Sequence, residues 1–212
     1  MTDELIADLS ADLRPVASTA MQRLLLAAVF VSGIVAVAAM WMWLGMRPDM
    51  ETAAATMMFW GKFIYTLALA ILGGIATLVL ARPDGRTRWP WLAALGLVAL
   101  LVVGAAIQLA SAEPGEVMPL IMGSTALAGP SRIVVLSMPV LFAAVYVLRR
   151  LAPANPMLAG FAAGIMAGGT GACVYSFACT ENGMMFVALF YTLGIAVVGG
   201  LGAVLGRLLL RW

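Results

Sequence analysis

Six uncharged stretches, closed off by arginine, lysine or glutamate, constrain this chain more than any other feature. They cover residues 24–46, 63–81, 89–112, 133–148, 151–180 and 182–206. A helix needs about 20 apolar residues to cross the hydrocarbon core of a bilayer, where its backbone must satisfy its own hydrogen bonds. The stretches are continuous and rich in Ala, Leu, Gly and Met rather than alternating, which argues against the strands of a β-barrel. The chain is 64% hydrophobic and 10% charged over 212 residues. A globule of that size lacks the interior to hide so much apolar surface. The expected fold is all-α. It is a polytopic membrane protein with a six-transmembrane-helix bundle and a short cytoplasmic N-terminal amphipathic helix. Residues 1–22 form the N-terminal segment, and the spans fall at about 24–46, 60–81, 89–111, 132–148, 157–178 and 184–207. Pro153 and Pro156 place the start of the fifth span near Met157.

One further uncharged segment, residues 117–131, is short and interrupted by Pro119, Gly123, Gly129 and Pro130. It reads as a loop or short helix at the membrane surface. A seventh span there would put the termini on opposite sides. Orientation follows the distribution of Lys and Arg. Nine basic residues (Arg14, Arg23, Arg82, Arg86, Arg88, Arg149, Arg150, Arg207 and Arg211) fall on the side of the N-terminus, and three (Arg47, Lys62 and Arg132) on the other. The second face also carries Asp49, Glu51, Glu113, Glu116 and Glu181. Both termini are therefore expected in the cytoplasm. Trp41, Trp43, Phe59, Trp60, Trp89, Trp91 and Trp212 sit where interfacial anchors belong. The acidic start of the chain lacks the basic n-region of a signal peptide.

Catalytic equipment is sparse. The chain has no His, which removes the usual general base and the commonest metal ligand. No nucleophile–base pair, phosphate loop or cofactor motif is present, so the chain reads as no enzyme and as needing no cofactor. A net charge of +2 does not suggest direct nucleic-acid binding. Ser32, Gln108, Ser137, Thr170 and Thr192 are the few polar groups inside the spans, and no acid lies at mid-membrane. That pattern argues against a proton- or ion-coupled transporter. Lys62 and Arg132 lie near span ends, where their heads are expected to snorkel toward water.

Three features stand out from the bundle. In the N-terminal segment, Leu5, Ile6, Leu9 and Leu13 recur at helical spacing, with Asp3, Asp8 and Asp12 mostly on other faces and Pro15 closing the helix. Three turns are too few to be stable alone in water, so the apolar stripe must dock on something. The candidates are the bundle's own loops, lipid headgroups (disfavoured by the acidic polar face) or a partner protein taken helix-in-groove.

The second feature is the pair Cys173 and Cys179, six residues apart at the outer end of the fifth span. On a continuous helix they do not pair, although a turn between them brings them closer. Cys173 reads as a packing residue. Cys179 reads as a loop thiol outside the membrane, open to oxidants and soft metals. A metal site there would rest on Cys173, Cys179 and Glu181. The third feature is spacing: Gly160, Gly164 and Gly168 on the fifth span, and Gly202 and Gly206 on the sixth, suit close helix packing. Pro139 should kink the fourth span, with Ser137 placed to satisfy a freed carbonyl.

Several stretches together resemble a known family, the NrsF-like membrane anti-sigma factors. The first is Leu5-Ile6-Ala7-Asp8-Leu9-Ser10-Ala11-Asp12-Leu13-Arg14-Pro15-Val16. Others are Leu136-Ser137-Met138-Pro139, and Arg149-Arg150-Leu151-Ala152-Pro153 followed by Leu158-Ala159-Gly160. The last runs from Cys179-Thr180-Glu181 through Phe190-Tyr191-Thr192-Leu193-Gly194-Ile195 to Gly206-Arg207 and Leu210-Arg211-Trp212. The resemblance implies six helices in a bacterial inner membrane. It implies an extracytoplasmic-function sigma factor held at the cytoplasmic face and released under metal or oxidant stress. It makes Leu5, Ile6, Asp8, Leu9, Asp12, Leu13, Arg14 and Pro15 the sigma-binding element. Cys179 becomes a periplasmic sensing thiol, with Cys173 and Glu181 beside it. The family pattern also implies a cysteine just before the fourth span, where this chain has Ser131. The expected partners are thus the sigma factor and the lipid bilayer. The competing reading is a small-molecule transporter or channel, which expects a polar cavity between the helices.

Overall fold

The computed structural model describes residues 18–82, 85–113, 115–123, 126, 128–151, 153–181 and 183–210. The N-terminal residues proposed to bind a partner, Leu5 to Pro15, lie outside the described residues, as does Trp212. The described residues form eight helices and no strand. Six are long and apolar enough to cross a membrane: α1 (Ser18–Trp43), α3 (Met57–Leu80), α4 (Trp89–Ala110), α6 (Ala128–Leu148), α7 (Pro156–Tyr175) and α8 (Met184–Leu209). Two short helices, α2 (Met50–Ala54) and α5 (Val117–Met122), lie between them. The segment read as a loop or short surface helix is thus α5, broken off at Gly123, whose φ of +55° suits glycine.

Local chemistry sets the helix ends. The Thr56 hydroxyl accepts from the Phe59 N–H at 3.4 Å and starts α3. The Asn155 side chain accepts from the Leu158 N–H at 3.0 Å, with Pro156 in the first turn of α7. Gly45, at φ +71°, closes α1 by donating its N–H to the Met40 carbonyl.

The fifth span, α7, is the centre of the bundle: 67% of its apolar window is buried, against 6% for α4. Half of its 20 residues are Ala or Gly, and this lets three neighbours approach on three sides. A Cβ at Gly160 would overlap the Gly202 carbonyl, and one at Gly164 the Val198 carbonyl, so these glycines seat α8. A Cβ at Gly169 would come within 2.6 Å of the Ala70 nitrogen of α3. A Cβ at Gly171 would overlap Ser137 of α6. The spacing of Gly160, Gly164 and Gly168 indicated the first of these seams; the other two were not legible from it. The helix α4 touches mainly α3 and the start of α8 and stands apart from the centre.

Two expectations are corrected. Ser137 does not serve the carbonyl that Pro139 frees, that of Val135: its hydroxyl donates to the Ile133 carbonyl at 2.7 Å, the back-bond four residues earlier that a helical serine makes by itself. Lys62 does not snorkel. It is 1% exposed, because the chain folds the loop after α7 over it and supplies it with carbonyl partners.

Candidate sensing site at the acidic end of the bundle

The helix α7 ends at Tyr175, and the chain turns through Ser176, Phe177 and Ala178 before reaching Cys179. This loop is held from two directions. The Arg47 backbone N–H donates to the Phe177 carbonyl at 3.1 Å. The Arg47 guanidinium donates through Nη1 to the Cys179 carbonyl at 3.0 Å. From α3, Lys62 Nζ donates to the same carbonyl at 3.2 Å and to the Glu181 carbonyl at 2.9 Å. Both lone pairs of the Cys179 carbonyl are thereby used. Phe177 is fixed against α3 by edge contacts with Phe59 and Phe63, at 5.7 Å between centroids in each case.

Two further donors of Arg47 go to Asp49. Nε and Nη2 reach its two carboxylate oxygens at 2.8 and 2.7 Å, a bidentate pair with the guanidinium buried and the carboxylate half-exposed. The hydrogen bonds from Arg47 hold the Asp49 carboxyl below the usual carboxylate range.

The short helix α5 covers the same loop. A Cβ at Gly183 would overlap the Leu120 carbonyl, and one at Gly123 would overlap the Glu181 carboxylate. The Gln108 side chain of α4 accepts from the Met184 N–H at 2.8 Å, capping the start of α8. Residues 187–191 of that helix form a π-helical turn, a feature frequent at functional sites. It places the buried Tyr191 ring 5.6 Å from Tyr175, with the Tyr191 hydroxyl beside the Cys179 thiol and the Ser176 hydroxyl. Three inter-helix connections thus meet at Cys179.

The thiol itself corrects the sequence reading. Cys179 lies in a loop, as expected, yet it is 3% exposed and is not open to solvent. The physical reason is that its side chain packs into the apolar core with Tyr175, Phe186 and Tyr191 while Arg47 and Lys62 hold its carbonyl, which spacing along the chain does not reveal. Cys173 is half-buried within α7 and faces Thr66 of α3. Both thiols are free. Among the described residues no group of three His, Cys, Asp or Glu side chains is placed to hold a metal ion, so Cys173, Cys179 and Glu181 do not converge as ligands. Ser131, in the first turn of α6, is exposed and donates to the Ala128 carbonyl. Sequence reasoning missed Arg47 and Lys62 as site residues. Their signal was present: each is a lone cation beside an apolar run, on the face that is otherwise acidic.

Comparison with known proteins places this arrangement. The family model described as "NrsF: Negative regulator of sigma F" matches residues 9–212. The "Anti-sigma-F factor NrsF" of Caulobacter vibrioides is 37% identical over 212 residues, covering 100% of this chain and 99% of the relative. The "Probable anti-sigma-F factor NrsF" of Azospira oryzae is 41% identical over 170 residues, covering 80% of this chain and 79% of the relative. No solved structure matches. The chain belongs to the NrsF family of negative regulators of sigma F.

Proposed function

We propose that this chain is an integral membrane anti-sigma factor of the bacterial inner membrane, with both termini in the cytoplasm. It holds an extracytoplasmic-function sigma factor through its N-terminal segment and releases it when metal or oxidant stress acts near Cys179 from the periplasmic side. The observation that carries the regulatory reading is the family match across nearly the whole chain. Six long apolar helices and the uneven placement of arginine support the membrane placement. In this reading Leu5, Ile6, Leu9 and Leu13 are the apolar anchors, flanked by Asp8, Asp12, Arg14 and Pro15. An acidic helix suits a partner that binds DNA through basic surfaces.

Two measurements test it. Burying a leucine contributes about 1.5–3 kcal/mol. Leu9→Asp with Leu13→Asp should therefore weaken sigma binding roughly 100-fold or more. Co-expression with the sigma factor and assay of the membrane fraction reads this directly. Retention equal to the parent protein removes the segment's role. For sensing, the expected coupling between thiol and sigma site is about 1–3 kcal/mol, or roughly 5- to 150-fold in affinity. Cys179→Ser should abolish induction of the sigma-dependent genes by metal or oxidant while leaving basal repression intact. Induction that survives both Cys179→Ser and Cys173→Ser excludes a thiol sensor.

A further inference from the structure

We infer that a cleft at the arginine-rich end of the bundle binds an anionic phospholipid, with the phosphate between Arg86 and Arg88 and one acyl chain in the adjoining apolar trench. The cleft, of about 580 Å³, opens between the α3–α4 loop and the start of α7. Arg86 and Arg88 stand exposed at its mouth, and neither makes an ion pair among the described residues. Guanidinium groups match the geometry of phosphate oxygens and favour bidentate contact. The loop's shape is built in: Gly85 donates to the Arg82 carbonyl at 3.1 Å and lies so close to the Val79 carbonyl that a Cβ there would overlap it.

Next to the cleft lies a second cavity of about 270 Å³. Trp91 and Phe161 line both, their rings 5.6 Å apart, and Leu69, Val98, Ile165 and Ile195 form the trench walls. The trench exists because α4 stands off α7 and α8. The Thr192 hydroxyl at its wall is already bonded to Tyr65 at 2.7 Å. A peptide laid there would find little to satisfy its N–H and C=O groups, whereas an acyl chain needs no partners. This favours lipid over the acidic N-terminal segment, which the arginines would otherwise also attract.

The inference rests on the membrane placement proposed above. That placement fails separately, if the chain is found outside the membrane fraction. The test uses the full chain in detergent, with native mass spectrometry counting retained phosphatidylglycerol and phosphatidylcholine. Phosphatidylglycerol should be retained at least about tenfold more strongly: both lipids carry the same phosphate, but the choline of phosphatidylcholine brings a cation that the two guanidinium groups repel, whereas the glycerol headgroup leaves the lipid with a net negative charge. Arg86→Gln with Arg88→Gln should remove the preference, and Arg86→Lys with Arg88→Lys should keep most of it. Val98→Trp should displace the lipid with both arginines intact. Both arginines are exposed, so melting temperature should not move in the Gln variant. Equal retention of the two lipids, or a preference unchanged by the Gln substitutions, overturns the inference. So does a disulfide cross-link between Asp8→Cys and Ala154→Cys that forms in high yield with the cleft free of lipid, since the N-terminal segment is then the occupant.

Discussion

Replacing Gly164 by leucine should separate α7 from α8 and leave little folded protein. A Cβ at this position already overlaps the Val198 carbonyl and would lie 2.7 Å from the Gly199 Cα. Backbone cannot rotate aside as a side chain can, so the helices must move apart. That movement also breaks the seats at Gly160 and Gly202, which face each other across the same seam. Overpacking a core costs about 1–3 kcal/mol when side chains can adjust, and more when they cannot. A cost above about 3 kcal/mol is expected here, a large fraction of typical stability. Thermal unfolding in detergent should show a melting point far below that of the parent, or no cooperative transition. Gly200→Ala is the control on the same helix, since nothing lies within 4 Å of its Cβ position. It should be neutral or slightly stabilising, because Ala is the better helix former. Equal stability of Gly164→Leu and Gly200→Ala would refute the seam.

Lys62→Met should open the Cys179 loop. The substitution keeps the apolar stem and removes the donor shared by the Cys179 and Glu181 carbonyls. Leaving a buried acceptor without its partner costs about 1–3 kcal/mol. The Cys179 carbonyl keeps its bond from Arg47, so the loss falls mainly on the Glu181 side. Alkylation of Cys179 by a small maleimide reports the outcome, because a buried thiol reacts in proportion to the population of the open loop. The rate should rise about tenfold for every 1.4 kcal/mol lost. Combining Lys62→Met with Arg47→Met should raise it further than either alone, since both act on one carbonyl. An alkylation rate unchanged in Lys62→Met means the amine does not hold the loop closed.

The helices were legible in the sequence because length and apolarity alone define them, and Pro156 marks a helix start that the structure keeps. The glycine seam between α7 and α8 was legible because it follows one four-residue rhythm. The seats at Gly169 and Gly171 were not, because they serve different neighbours and so share no spacing with it. Chemistry at the acidic end was legible only as residue types. Cys179 was visible as a loop thiol, but the core that buries it comes from other helices, and the loop is held by Arg47 and Lys62, which lie 132 and 117 residues away in sequence. A lysine at a span end ordinarily reaches for water. Only the tertiary fold shows that two carbonyls take the place of that water.

The attachment of Arg47 to the loop has a mechanical consequence. Gly45 and Leu44 both donate to the Met40 carbonyl, so the peptide joining Arg47 to α1 is short and internally bonded. A shift of the Cys179 loop therefore pulls on the end of a single rod. That rod is 26 residues long, or about 39 Å at 1.5 Å per residue. It is among the less enclosed of the six, with 22% of its window buried, and its far end is Ser18, where the N-terminal segment joins. One lever thus runs from the Cys179 loop to Ser18, the residue that the segment proposed to grip the sigma factor precedes in the chain, with no need for the tightly seated α7 and α8 to slide.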